Sequence, residues 1–186
     1  LEIIQERLER EDGVDLGTTI PNVKYRIRLP DDSETFIDNP VNLPESSKIE
    51  HIEEPYINAQ IVTPNEYVGN VMNLARDRRA EIGDTEYVDS KRSILHYKFP
   101  LSEVVFDFYD KLKSITRGYG TMDYELIEYR VDKLVKVSIL INGDPVEALS
   151  LICHRERSVV RTRSILLKLR KQIDRHQFEI TLQAAI

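Results

Sequence analysis

Over residues 54–129 the apolar spacing switches between the strand period and the helix period in one particular order, and that order limits the folds open to the chain. Residues 56–62 read as a strand. Thr63-Pro64-Asn65-Glu66 follows, an arrangement in which Thr63 as N-cap and Glu66 satisfy orphan amides reciprocally, with proline at the first helical position. Val68, Val71, Met72 and Ala75 form an apolar stripe. Arg76, Arg78 and Arg79 fall late in that helix, where cations suit its dipole, and Gly83 is the expected stop. Residues 86–88 and 93–99 read as strands joined by Asp89-Ser90-Lys91-Arg92, and Pro100 closes the second. Leu101, Val104, Val105, Phe108 and Leu112 give a second helical stripe, broken at Gly118 and Gly120. Residues 122–129 form a last strand with Met122, Tyr124, Leu126 and Glu128 on one face. The order strand, helix, strand, strand, helix, strand predicts two helices over one face of a four-stranded antiparallel sheet. This is the split βαβ, ferredoxin-like arrangement of the α+β class.

The flanks are less regular. Leu1, Ile4 and Leu8 share one helical face, and Gly13 ends that helix. Val23, Tyr25 and Ile27 alternate with Lys24, Arg26 and Arg28 as a half-buried strand ending at Pro30. Residues 31–53 read as connecting chain with one short strand at 34–37, and Glu53-Glu54, like Asp31-Asp32, reads as solvated carboxylates. After residue 134, Val135, Val137, Ile139 and Ile141 alternate, Asn142-Gly143-Asp144 signals a hairpin turn, and 148–153 returns as the partner strand. A helix over 158–173 and a strand over 178–182 complete the pattern. The chain opens without methionine inside a helical pattern and stops without a polar tail, which reads as a piece of a longer protein, with a processed chain as the alternative.

Charge is segregated. Of 186 residues 41% are hydrophobic, sufficient for a buried core, and the formal net charge of −6 argues at face value against nucleic acid. Yet residues 1–53 carry thirteen acids against six bases, a balance of −7, whereas 151–186 carry eight bases against three acids, a balance of +5. Such asymmetry points to a basic contact surface at one end. The lone Cys153 excludes an intrachain disulfide and a multi-cysteine zinc site, and it reads as a buried, inert thiol. No run of 18 apolar residues is present to span a bilayer.

Catalytic signatures are missing. There is no Gly-x-x-x-x-Gly-Lys-Ser/Thr, no Gly-x-Gly-x-x-Gly, and no metal-ligand spacing among His51, His96, His154 and His176. No catalytic and no metal-binding residue is assigned, and these residues are not expected to form an enzyme.

Two cationic features remain. Plotted at 100° per residue, Val159, Thr162, Ile165, Leu166, Leu169 and Ile173 share one helical sector, with Arg161, Lys168, Lys171 and Arg175 opposite and Arg157 extending the line. Arg163 and Arg170 border the apolar face. Such a row matches the phosphate repeat of a nucleic-acid strand, while a solvated face, or pairing with the acidic N-terminal part, is the alternative. The second feature is Lys113-Ser114-Ile115-Thr116-Arg117-Gly118-Tyr119-Gly120, where glycines permit close approach, Lys113 and Arg117 supply phosphate contacts and Tyr119 supplies a stacking ring. A glycine-capped turn with incidental cations is the alternative.

These segments resemble the later domains of translational GTPases. Leu1-Glu2-Ile3-Ile4-Gln5-Glu6-Arg7-Leu8 resembles a helix of domain III. Glu54-Pro55-Tyr56, the helix from Pro64 through Tyr67-Val68-Gly69, and Leu112 to Gly118 resemble the elongation-factor-G-type domain V. Leu140-Ile141-Asn142-Gly143-Asp144-Pro145-Val146-Glu147-Ala148-Leu149-Ser150, His154-Arg155, Gln177-Phe178-Glu179 and Gln183-Ala184-Ala185-Ile186 resemble the elongation factor 4 (LepA) family. The resemblance implies a C-terminal part of domain III at 1–30, a linker at 31–53, a ferredoxin-like domain V at 54–131 and the beginning of a family-specific α+β C-terminal domain at 132–186. The domain III part would belong to a second α/β sandwich flanking the ferredoxin-like one. It implies contacts with large-subunit ribosomal RNA and with transfer RNA, serving back-translocation, translation fidelity or ribosome assembly. It places GTP and Mg²⁺ in an N-terminal domain outside this sequence, with no cofactor here. It further implies a cytoplasmic monomer able to associate peripherally with the cytoplasmic face of the membrane. By position, Lys113, Arg117 and Tyr119 match the domain V loop, and His154, Arg155, Arg157, Arg161, Lys168, Lys171 and Arg175 lie in the C-terminal domain; all ten are the expected RNA contacts. A ferredoxin-like regulatory module for a small ligand is the alternative function, and it gives no reason for the basic helix.

Overall fold

One long strand organises the chain. In β3 (His51–Pro64) Ile57, Ala59 and Ile61 are fully buried and alternate with Asn58, Gln60 and Val62, the period-two pattern of a strand with one face on a core. Along one edge, residues 51–53 of β3 pair with β1 (Tyr25–Arg28) and residues 56–64 with β5 (Arg92–Pro100). The other edge carries β6 (Thr121–Val131). β2 (Glu34–Ile37) adds to β1, and β4 (Glu81–Tyr87) adds to β5. All pairings are antiparallel, and the sheet has six strands. The order β6-β3-β5-β4 is that of the ferredoxin-like fold, as the element order predicts. β1 and β2 continue the same sheet because β3 begins at His51 and runs on without a break.

The computed structural model describes residues 23–105, 107–172 and 181–186. The expected helix at 1–8, its stop at Gly13, and positions Ile173, Arg175, His176 and 178–180 lie outside them.

Three helices cover one face of the sheet: α1 (Val68–Arg76), α2 (Leu101–Val104) and α3 (Phe108–Ile115). Val71 and Ala75 of α1, Val104 of α2, and Phe108 and Leu112 of α3 close on Ile57, Ile61, Leu95, Tyr97 and Phe99. Phe99 and Phe108 meet edge to face at 5.0 Å, a favoured aromatic geometry.

Several local expectations are corrected. The capping box does not form: β3 extends through Pro64, a 3₁₀ turn (Asn65–Tyr67) intervenes, and α1 starts without a side-chain cap. Thr63 falls in the inward register of β3, so its hydroxyl is buried without a partner rather than aimed at the helix amides. Gly83 is no helix stop. It lies inside β4 beside a bulge, where a Cβ would stand 2.9 Å from the His96 carbonyl oxygen, the close backbone approach that strand glycines permit. The second stripe is split into α2 and α3, and Asp107 at the break pairs with Arg78 at 2.6 Å.

The C-terminal unit is a three-stranded sheet ordered β8-β7-β9, from β7 (Leu134–Ile141), β8 (Asp144–His154) and β9 (Leu182–Ala185), packed against α4 (Arg155–Gln172). Asn142 and Gly143 have φ of 54° and 90°, as a two-residue hairpin turn requires. The last strand occupies Leu182–Ala185 rather than ending at residue 182. Val23, Tyr25, Ile27 and Ile37 pack with Ile152 of β8, and Tyr25 Oη donates to the Ile152 carbonyl at 3.2 Å. Burial holds the Tyr25 hydroxyl well above its ordinary range, so it stays a donor.

Candidate nucleic-acid interface

The loop between α3 and β6 is tightly built. Arg117 and Gly118 have φ of 51° and 86°, which reverses the chain after α3 and is readily adopted by glycine. Gly118 N donates to Lys113 O at 2.7 Å and Tyr119 N to Thr116 O at 3.0 Å. Thr116 Oγ1 donates to Leu112 O at 2.7 Å and accepts from Gly120 N at 2.8 Å. A Cβ on Gly120 would stand 2.7 Å from Thr116 Oγ1, so this position admits only glycine without rearrangement. The result is a fixed platform. Arg117 is exposed, and the Tyr119 ring is 70% exposed. Lys113 is less available, since Nζ donates to Gly118 O at 3.2 Å and lies 5.3 Å from the Tyr109 ring centroid.

The helix α4 is turned from the orientation drawn on the sequence. Ser158 and Thr162 are buried, and Ile165, Leu166 and Leu169 are half-buried. This face is centred on Ser158, Thr162, Ile165 and Leu169, a set at i, i+4, i+7 and i+11. Val159, expected inward, is 69% exposed. The small hydroxylated residues seat the helix on its sheet, and Ser158 Oγ donates back to Arg155 O at 2.7 Å. Arg161 is carried inward with them, donating to the Ser102 carbonyl at 3.2 Å, and Arg157 is half-buried. Arg155 and Lys168 are exposed, as are Arg163 and Arg170, although in sequence the last two only border the apolar sector. Val160 and Leu167 lie between these cations, and the acid Glu156 stands at the helix start. The side chain of Lys171, like Arg175, lies outside the described residues. Nothing in the local sequence marks Ser158 as inward, since a serine beside Val159 ordinarily reads as the more exposed of the two.

His154 does not reach the surface. It is buried, with Nε2 3.1 Å from Asp132 Oδ1 and Nδ1 accepting from Glu156 N at 3.3 Å. Asp132 belongs to a larger ion cluster centred on Arg79, a residue at φ 56°. Its guanidinium reaches Glu54 Oε1 at 2.7 Å, Asp132 Oδ2 at 2.9 Å and Glu103 Oε1 at 3.3 Å. Ser102 Oγ donates to Glu54 Oε2 at 2.9 Å. Glu53 and Glu54 are therefore buried and paired, not solvated; Arg26 holds Glu53. Burial pushes the Glu54 carboxyl upward, and the hydrogen bonds and charge of Arg79 oppose that shift. Cys153 is buried and its thiol is pushed up by burial, as an inert thiol requires.

Among the described residues no group of three His, Cys, Asp or Glu side chains is placed to hold a metal ion, and no helix is long and apolar enough to cross a membrane. What the arrangement offers is an exposed ring on a rigid loop and a cationic helix face.

A family model described as elongation factor G C-terminus matches residues 51–140, and one described as GTP-binding protein LepA C-terminus matches 141–186. Elongation factor 4 of Chlorobium limicola is 52% identical over 100% of this chain, that of Chlorobaculum parvum 53%, and that of Geobacillus thermodenitrificans 52%. The chain belongs to the elongation factor 4 (LepA) family. It spans about a third of the length of these relatives, 31% of the first two and 30% of the third. Within elongation factor 4, the α3–β6 loop lies in the part shared with elongation factor G, and α4 lies in the part matched by the LepA model.

Proposed function

We propose that this chain is the ribosome-facing C-terminal part of a translational GTPase. The α3–β6 loop meets large-subunit ribosomal RNA through Arg117 and Tyr119, and the outer side of α4 meets transfer RNA through Arg155, Lys168, Arg163 and Arg170. The observation that carries this reading is the exposure of Arg155, Arg163, Lys168 and Arg170 on a helix whose one acid is Glu156, in a chain whose net charge is −6. Lys113 and Arg157 act from the edges of the two surfaces, Lys171 and Arg175 are further RNA contacts by their place in the sequence, and His154 and Arg161 position α4 from beneath. The contacts serve ribosome remodelling, as back-translocation, fidelity control or assembly. GTP hydrolysis with Mg²⁺ belongs to another part of the whole protein, which works as a cytoplasmic monomer with peripheral access to the membrane. Similarity to elongation factor 4 along the whole of this chain favours this over a small-ligand regulatory module.

Co-sedimentation with ribosomes over a salt series tests the reading. Binding at low salt that weakens steeply with added salt is expected. No binding at low salt, or binding indifferent to salt, rejects it.

A further inference from the structure

The tip of the β4–β5 hairpin, which the sequence presents only as a strand connection, faces Tyr119 across a cleft of about 620 Å³. The cleft is open to solvent along much of its extent. Both walls are fixed. Asn65 N donates to Lys91 O at 2.9 Å, tying the hairpin tip to the start of the 3₁₀ turn. Asp89 Oδ1 accepts from Lys91 N at 2.7 Å and from Arg92 N at 2.8 Å. The Asp89 carboxyl is held below the usual range by these turn amides and stays charged against Arg92, 3.1 Å away.

The remaining lining groups form a set. Tyr119 supplies an exposed aromatic face. Ser93 Oγ donates to Asn65 Oδ1 at 2.6 Å, so the Asn65 amide nitrogen is the end available to a ligand. Glu66 is an exposed carboxylate on the same wall, and Lys91 an exposed cation on the other. A stacking face, an acceptor beside a donor, and a nearby cation together fit a flat heterocycle attached to a phosphate chain.

We propose that this cleft receives one unstacked guanine of an RNA loop. The base stacks on Tyr119, Glu66 accepts from its donor-bearing N1 and N2 edge, Asn65 donates to O6, and Lys91 holds the adjoining phosphate. Of the four bases, guanine alone combines an imino and an amino donor side by side with a carbonyl acceptor on one edge. This rests on the RNA-binding reading above and adds to it a defined base site and the hairpin as its second wall.

The test is fluorescence anisotropy of the whole chain with labelled hexauridine and with the same oligomer carrying one central guanosine or adenosine, at low salt. The guanosine oligomer is expected to bind most tightly. Tyr119→Ala should weaken it by about 5- to 100-fold, and Tyr119→Phe should largely retain binding. Glu66→Gln should narrow the guanosine-over-adenosine preference by about fivefold or more. Lys91→Ala should lower the salt slope by about one. Equal binding of all three oligomers, or of the wild type and Tyr119→Ala, overturns the cleft assignment. Ribosome co-sedimentation on the same preparations separates the two levels. Retained ribosome binding without oligomer discrimination removes only the guanine site, and loss of both at low salt removes the RNA reading with it.

Discussion

The arginines that end α1 and those along α4 stand in opposite electrical situations. Arg78 and Arg79 point into the molecule, where Arg79 neutralises Glu54, Glu103 and Asp132 from three different segments. Arg163 and Arg170 point into solvent from a helix whose small polar residues face the sheet. The first pair joins the ferredoxin-like sheet to the chain leading into β7. Among the described residues no carboxylate pairs with the second pair, and both of its side chains are exposed. A cation's use is thus set by which acids the fold brings to it, not by the cation's own neighbours in sequence.

The strongest way to break this contrast is Arg79→Ala. It leaves Glu54 and Glu103 buried without their main counter-charge, and a loss of about 3–5 kcal/mol in urea unfolding is expected. A loss below about 1 kcal/mol would mean the cluster is hydrated and that Arg79 resembles the α4 arginines. Gly120→Ala comes next. Its methyl group displaces Thr116 and loosens the loop that presents Tyr119, costing about 1–3 kcal/mol.

Asp107 gives a pH-dependent test. Arg78 and Lys111 hold its carboxyl below the ordinary 3.8 despite the opposing effect of burial. A lowered folded-state pKa contributes stability that is present above the ordinary value and is lost as pH falls through the folded one. Unfolding measured from pH 6 down to pH 2 should therefore show a shallower acid loss in Asp107→Asn than in the wild type. Identical acid limbs would remove Asp107 from the inner arginine system.

The smallest effect on stability belongs to Arg163→Glu with Arg170→Glu. Surface changes of this kind stay within about 0.5 kcal/mol per site, while ribosome affinity and its salt slope should both fall, the slope by about one per lost phosphate contact. Destabilisation beyond about 2 kcal/mol, or unaltered ribosome binding, would show that these cations belong to the fold rather than to a partner.

By itself the sequence determined the element order, and with it the ferredoxin-like class, because alternation in β3 and β5 and the stripes of α1 and α3 are local periodicities that each segment carries alone. It also determined the Asn142-Gly143 turn, since asparagine and glycine adopt left-handed backbone readily, whereas the left-handed Arg79 and Arg117 are not readable from residue type. Only the tertiary structure decided what the charged residues do. Glu53 and Glu54 look solvated in sequence and are buried because β3 starts at His51, so that β1, α1 and α2 close over them. Thr63 looks like a cap and is held in the strand by its register. α4 buries Ser158 and Thr162 where Val159 looks inward in sequence, and with that orientation Arg161 reaches the Ser102 carbonyl while Arg163 and Arg170 stay exposed. Periodicity follows from the covalent chain, whereas the partner of a charge depends on residues far apart in sequence, such as the 53 positions separating Arg79 from Asp132, and only folding brings those together.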